Sequence, residues 1–392
     1  MEKQRNIPQL RFPEYEGEWE EKKLGDVAEI KTGDKDTQNR VDDGIYPFFV
    51  RSDNVERINS YSFDGEAILT SGDGVGVGKN FHYMNGKFDF HQRVYSIRKF
   101  SEYVSGKFIF YFFSDRFYKR VIRLSAKNSV DSVRMDMITD MPIYFPTLIE
   151  QQKIASFFTA IDQKISQLKR KKNLLEQYKK GVMQKIFSQE IRFKDDNGQE
   201  FPKWEKKRLS EIFIEINETV GTRDIPTYSI TAGVGFVSQN EKFGRNISGQ
   251  QNKHYTVINE GQFSYNKGNS KTYTYGCIYV NDTGKRIAVP NVFISFEFID
   301  QKMSSQFYSK LFESHYLDKG LRKIISSSAR MDGLLNVNKN SFFQLSVPCP
   351  NYIEQQKIGH FLYSIDSKIF HIKKQIERAE VWKKGLMQQM FV

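Results

Sequence analysis

Cysteine is nearly missing from this chain. Its 392 residues hold two, Cys277 and Cys349, which lie 72 positions apart with no Cys or His beside them at metal-ligand spacing. That argues against a disulfide framework or a zinc site, and the pair reads as reduced thiols of a cytoplasmic protein. Long apolar runs are missing too. The most apolar stretch, Phe108 to Phe113, is far too short to cross a bilayer. The charged opening Met1-Glu2-Lys3-Gln4-Arg5-Asn6 leads into no apolar run, so neither a membrane span nor a secretory signal is expected. Catalytic signatures are absent as well. The six histidines (His82, His91, His254, His315, His360 and His371) show neither zinc spacing nor H-E-x-x-H. There is no Gly-x-Ser-x-Gly elbow, no proline followed by aspartate as in a common nuclease signature, and no Asn-Pro-Pro-Tyr or Asp-Pro-Pro-Tyr of amino-methylating enzymes. These absences argue against chemistry in this chain.

What is present is an ordinary globular composition, 39% hydrophobic and 14% aromatic, on a basic chain of net charge +12. A basic surface attracts polyanions because neutralised phosphates release counterions. Solvated lysines give the same number, so charge alone does not decide for nucleic acid.

Self-similarity is the stronger signal. Residues 146–187 and 350–391 align without a gap at an offset of 204, and 20 of these 42 positions are identical. Shared positions include Glu150/Glu354, Phe157/Phe361, Ile161/Ile365, Asp162/Asp366 and the runs Lys179-Lys180-Gly181 and Lys383-Lys384-Gly385. Weaker matches precede them: Trp19 and Leu24 with Trp204 and Leu209, Tyr46-Pro47 with Ile225-Pro226, Gly65 and Gly72 with Gly261 and Gly268, and Val94 with Val292. The order is module, helix, module, helix, with the modules far more diverged than the helices.

Each conserved segment predicts one long helix. Pro146 and Pro350 precede it, and Glu150 and Glu354 fall in its first turn. Ile154, Ile161, Leu168, Leu175 and Val182 recur every seven residues with Phe158, Ile165 and Ile186 beside them. Ile358, Ile365, Ile372, Ala379 and Leu386 do the same with Leu362, Ile369, Ile376 and Met390. A seam sustained over about five heptads predicts a coiled coil, and roughly 38 residues make a rod of about 57 Å. The matching seams make each helix the natural partner of the other, antiparallel, with the modules at opposite ends. The alternative is two amphipathic helices, each packed on its own module. Gly181 and Gly385 are places for a bend or a lost turn. Lys169 to Lys172 read as a solvated face or a rim for another subunit. Leu10-Arg11-Phe12 and Trp19 resemble Ile191-Arg192-Phe193 and Trp204, so an N-terminal arm (1–19) is expected to complete the second repeat, closing a pseudo-twofold ring. The other segments are a first module (20–145), a central helix (146–190), a linker with the second module (191–349) and a C-terminal helix (350–392).

The modules read as mixed α/β. Phe48–Val50, Ala67–Leu69, Val94–Ile97, Thr227–Ile230 and Val292–Ser295 are strand-like, and an aromatic helix is expected near 107–123 and again near 304–323. The sharpest local feature runs from Thr70 to Asn80. Its glycines expose backbone amides that can approach phosphate, although Asp73 and Asn80 stand where a P-loop needs glycine and a hydroxyl. A flexible connecting loop is the plain alternative. Candidate DNA contacts there are Ser71, Gly72, Gly74, Gly76, Lys79 and Asn80, with Asn266, Lys267, Asn269, Ser270 and Lys271 at the matching place in the second module. Further candidates are Gln92 and Arg93, matched by Asn291, and the polar loops holding Lys127, Asn128 and Arg134, and Ser327 and Arg330. Arg and Asn can make bidentate contacts to guanine and adenine.

The doubled Ile-Glu-Gln-Gln-Lys-Ile at 149–154 and 353–358, each after a proline-bearing strand end, resembles the specificity subunit of type I restriction–modification systems over nearly the whole chain. The resemblance implies two α/β target-recognition domains and two long helices in an antiparallel coiled coil. It implies a non-catalytic subunit whose two domains each read half of a bipartite duplex DNA target. The helices would set the spacing and dock two adenine-methylating subunits, which restriction subunits can join. No cofactor is implied for this chain; methyl donor and nucleotide would sit on those partners. A stand-alone nuclease or methyltransferase, or a protein-binding coiled-coil scaffold, are the competing readings.

Overall fold

The Trp-x4-Leu pattern that opens each repeat is a packing device: Trp19, Leu24 and Leu209 are buried, and Trp204 lies edge-on against Phe307. A computed structural model describes residues 6–74, 76–125, 132–240, 249–268, 272–325 and 334–392, with 249–251 by backbone alone. The chain divides into two compact units, residues 1–170 with 373–392, and residues 171–372. Each long helix is therefore shared between both.

The first unit begins β1 (Glu20–Lys23), α1 (Leu24–Val27), β2 (Glu29–Thr32), β3 (Tyr46–Phe49), β4 (Val55–Ile58), β5 (Phe63–Ser71), β6 (Phe81–Phe90) and β7 (Val94–Arg98). It continues with α2 (Gly106–Leu124), α3 (Met135–Thr139), β8 (Pro142–Phe145) and α4 (Leu148–Phe187). Six strands form one sheet in the order β2-β7-β5-β6-β3-β4, and β1 pairs antiparallel with β8. Alternation along β5 sorts its side chains. Ile68 faces the aromatic helix α2, whereas Ala67 and Leu69 join Phe49, Phe88, Phe90 and Val94 on the other face. Ser105 caps α2 by accepting from the Phe108 amide, and Phe108, Tyr111, Phe112, Phe113 and Phe117 bury its inner side.

The second unit adds β9 (Glu205–Arg208), α5 (Leu209–Ile212), β10 (Phe213–Glu215), β11 (Tyr228–Thr231), β12 (Gly235–Ser238), β13 (Thr256–Ile258), β14 (Phe263–Asn266), β15 (Cys277–Val280), β16 (Ile287–Val289) and β17 (Ile294–Phe298). Then come α6 (Ser305–Glu313), α7 (Asp318–Ile324), α8 (Lys339–Phe343), β18 (Ser346–Cys349) and α9 (Tyr352–Met390). Its main sheet, β10-β17-β14-β15, repeats the order β2-β7-β5-β6, and β9 pairs with β18 as β1 does with β8. Two small antiparallel pairs, β11-β12 and β13-β16, stand apart from that sheet, whereas β3-β4 of the first unit continues its main sheet.

Three sequence expectations need correction. The strand expected at Val292 begins at Ile294; Asn291 and Val292 form an exposed turn ahead of it. The second aromatic helix is two helices, α6 and α7, separated at His315, whose φ of 62° is incompatible with a continuing helix. Gly181 and Gly385 do not end their helices: α4 and α9 run through them, with open space where a Cβ would point.

The two expected partners of the long helices are not alternatives. In the first unit Ile154, Ile161 and Ile165 of α4 share one core with α2 and with Met387, Met390 and Phe391 at the end of the chain. In the second unit Met183, Ile186 and Phe187 share a core with Ile358, Leu362 and Ile365, against which Ile369 packs. Ile372 is buried, and Leu168 and Leu175 are half-buried. Within the first unit the pairing is antiparallel, since Phe158 stacks on Phe391 while Asp162 meets Lys383 and Lys169 meets Glu380. The N-terminal arm joins the same unit, where the Leu10 amide donates to the Gln389 carbonyl at 2.9 Å.

Candidate nucleic-acid interface

The first two residues of each repeated Glu-Gln-Gln-Lys run form a joint rather than an outward-facing patch. Glu150, 1% exposed, receives Nε and Nη2 of Arg11 at 2.8 Å each, and the fully buried Glu354 receives Arg192 at 3.0–3.3 Å. Gln151 accepts from the Ser105 amide at 2.9 Å and donates to the Pro146 carbonyl at 2.8 Å. Gln355 repeats both bonds with Ser304 and Pro350. Since Ser105 and Ser304 cap the aromatic helices, each glutamine ties a long helix to its own module. Lys153 pairs with Glu14, and Lys357 with Asp196.

The polar candidates of the first module converge elsewhere. Gly72, Gln92, Arg93 and Arg134 line one open cleft of about 570 Å³, with Thr32, Gly33, Asp73 and Tyr95. Three segments are laced together to form it. The Gly72 amide donates to the Arg93 carbonyl and the Val133 amide to the Gly72 carbonyl, both at 2.7 Å, and Asp73 bridges to Ser132. A Cβ at Gly72 would lie 2.9 Å from both the Arg93 carbonyl and the Tyr95 ring, and one at Gly33 would collide with the Phe90 carbonyl. Both positions need glycine for close backbone approach. The Arg93 amide donates to His91 Nδ1 at 2.9 Å. Burial, with Arg51 nearby, holds the His91 imidazole below its usual pKa, which keeps that nitrogen an acceptor.

Carboxylates face the cationic and amide groups of this cleft. Asp73 reaches Arg51 at 3.3 Å and Arg93 at 3.8 Å, Asp36 accepts from Gln92 at 3.1 Å, and Asp136 accepts from Arg134 at 3.2 Å. Sequence reasoning missed Asp73 and Gly33 in the cleft lining, and Arg51 as the partner of Asp73. Arg51 lies 22 positions before Asp73, so no local pattern connects them.

The glycine loop itself is turned inward. The amides of Val77, Lys79 and Asn80 donate to carbonyls within the loop, and Ser71 and Asn80 are buried, with Asn80 pressed against Gly76. Gly74 has a φ of +81° and is exposed, and the Lys79 ammonium sits over the Tyr118 ring. In the second module a matching bridge joins Gly268 to Leu334. Asn266 turns its amide to the Ile230 carbonyl and accepts from Gly268; the Lys267 carbonyl accepts from the Leu335 amide; Asn291 is exposed. Lys127, Asn128, Asn269, Ser270, Lys271, Ser327 and Arg330 lie outside the described residues. Among the described residues no group of three His, Cys, Asp or Glu is placed to hold a metal, and no helix is long and apolar enough to cross a membrane.

Known proteins match this arrangement. The model of the type I restriction modification DNA specificity domain matches residues 16–177 and again 201–380. Over 196 residues, half of this chain and 42% of the relative, it is 28% identical to the type I restriction enzyme EcoDI specificity subunit of Escherichia coli. Over 86 residues, 21% of this chain and 20% of the relative, it is 31% identical to the MjaVIII specificity subunit of Methanocaldococcus jannaschii. The matches span less than half the length of either relative. Among solved structures, the type I restriction–modification S subunit of M. genitalium superimposes with a TM-score of 0.64 at 17% identity, over 98% of this chain and 99% of that one. A chain from a structure on assembly and conformational transition of the type I system gives 0.52 at 14% identity, over 95% and 96%. These neighbours show the same fold. With the family's domain matched twice along most of its length, the chain belongs to the type I restriction–modification DNA specificity family.

Proposed function

We propose that this chain is the DNA-reading subunit of a type I restriction–modification complex and is not catalytic alone. Each module reads one half of a bipartite duplex target, and the paired helices set the separation of the halves and dock two adenine-methylating subunits, to which restriction subunits can add. Methyl donor and nucleotide belong to those partners, and the assembly works in the cytoplasm without a membrane. Adenine methylation requires the base to be flipped into the partner's pocket, so the reading subunit must hold its two half-sites at fixed separation. The observation that carries this reading is the cleft of the first module, where Gly72, Gln92, Arg93 and Arg134 from three chain segments meet beside a sheet whose strand order the second module repeats.

The test is a map of methylated adenines in DNA from cells making this chain with its methylase partner. One bipartite motif marked on each strand is expected. Methyl transfer or cleavage by the pure chain alone would overturn the reading in favour of an enzyme. Absence of salt-dependent duplex binding would leave a protein-binding scaffold.

A further inference from the structure

Arg93 lines the first module's cleft from the turn before β7, and Arg51 follows β3 outside that lining, yet a single cleft carboxylate stands between them. Asp73 Oδ1 is 3.3 Å from Arg51 Nη1, and Oδ2 is 3.8 Å from Arg93 Nε. The exposure of the three side chains is unequal. Asp73 is 25% exposed, and its backbone is pinned by the bridge to Ser132. The arginine side chains are 47% and 66% exposed. At 3.8 Å the Arg93 contact is an ion pair without a hydrogen bond, so the guanidinium is neutralised but not locked. We infer that Asp73 is a specificity-determining residue that stands in for a DNA phosphate, occupying Arg51 and Arg93 until a duplex of the right shape displaces it. This rests on the proposed reading of the cleft as a DNA site.

The physical consequence concerns the wrong DNA. A guanidinium already paired with a carboxylate gains little from a random phosphate, and the fixed negative charge repels the backbone. Counterion release, the source of sequence-independent affinity, is thereby reduced at this cleft. A target that offers base edges as well as phosphates can pull the arginines away, because charge-assisted bidentate bonds replace the weak pairs. Asp73 would thus act by weakening non-specific binding more than specific binding, the negative half of discrimination.

The experiment uses the full chain and random-sequence duplex DNA across a salt titration. Asp73→Asn keeps the shape and removes the charge; Asp73→Ser is the second variant, and thermal melting shows that each is folded. Both are expected to bind random duplex several-fold more tightly at low salt, and the slope of log affinity against log salt steepens by about 0.9 for each phosphate gained. Arg93→Ala should weaken random binding more in the Asp73→Asn background than in the wild type, a coupling that independent sites would not show. In the complex with the methylase, Asp73→Asn should broaden one half of the methylated motif. Folded variants with wild-type affinity and slope on random duplex would overturn the inference. Loss of target binding with no change on random duplex would also overturn it, since Asp73 would then be contacting a base directly. A wild-type chain showing no salt-dependent binding would instead bring down the DNA-reading proposal itself.

Discussion

The Lys383 ammonium meets the Asp162 carboxylate at 2.6 Å, and the repeat counterparts of both residues, Lys179 and Asp366, meet at 2.5 Å in the other unit. Each pair joins a residue of one helical copy to a residue of the other. Lys179 also pairs with Glu313, and Lys310 spans Glu313 and Asp366, so the second unit builds a four-membered charge cluster around its pair. The ends of one repeat segment are thus chemically matched to the ends of its copy.

Removing a buried member of such a cluster strands its partners. Lys179 is buried, while Asp366 is about a quarter exposed and Lys310 remains as a second cation. Lys179→Ala is therefore expected to cost roughly 1–3 kcal/mol, below the range for a fully buried pair. Urea unfolding checks this, and Lys179→Arg, which keeps the cation between Glu313 and Asp366, should recover part of the loss.

Glu313 carries the pH dependence of that cluster. Burial pushes its carboxyl up, but the charges of Lys310 and Lys179 more than offset this and hold it below the usual range. A carboxylate lowered on folding stabilises the protein above its unfolded value, about 4.3, and the contribution is lost as pH falls through the folded value. Glu313→Gln should lower the melting temperature at neutral pH. The gap to wild type should close on acidification below about pH 4.

The joint at Glu354 should be sensitive as well. Glu354 has no exposure, and Glu354→Ala leaves the Arg192 guanidinium with the Pro202 carbonyl but no carboxylate, an expected loss of up to roughly 3 kcal/mol. Hydrogen exchange should show the first turn of α9 and residues 191–193 opening together. Separate opening of the two would contradict the joint.

Gly33 offers a test confined to one module. A Cβ there would sit 1.9 Å from the Phe90 carbonyl, a clash with backbone that no rotamer relieves. Gly33→Ala is expected to deform the cleft and cost at least about 1–3 kcal/mol. In the methylated-adenine map one half of the bipartite motif should be lost or relaxed and the other half kept. Loss of both halves together would contradict independent reading by the modules.

The long helices were legible because their information is local and periodic. Ile154, Ile161 and Ile165 recur at a spacing that only a helix turns into one face, and the copy at Ile358, Ile365 and Ile369 repeats it. The split at His315 was not legible, because the aromatic spacing continues across it while one backbone angle breaks the helix. The glycine loop misled in a different way: its composition suits an anion cradle, but composition does not say that the amides of Val77, Lys79 and Asn80 already have partners within the turn.

Repeat, order of elements, helix phase and the candidate polar residues follow from the chain read as a string, since periodicity and self-similarity need no third dimension. Which residues share a cleft does not. Asp73, Arg93 and Arg134 become neighbours only when three separate segments are laced by backbone hydrogen bonds. The roles of the Glu-Gln-Gln-Lys run were likewise set by tertiary structure. Its buried glutamate and first glutamine are spent on Arg11, Arg192, Ser105 and Ser304, residues far away along the chain that burial forces into contact because an unpaired polar group there would be costly.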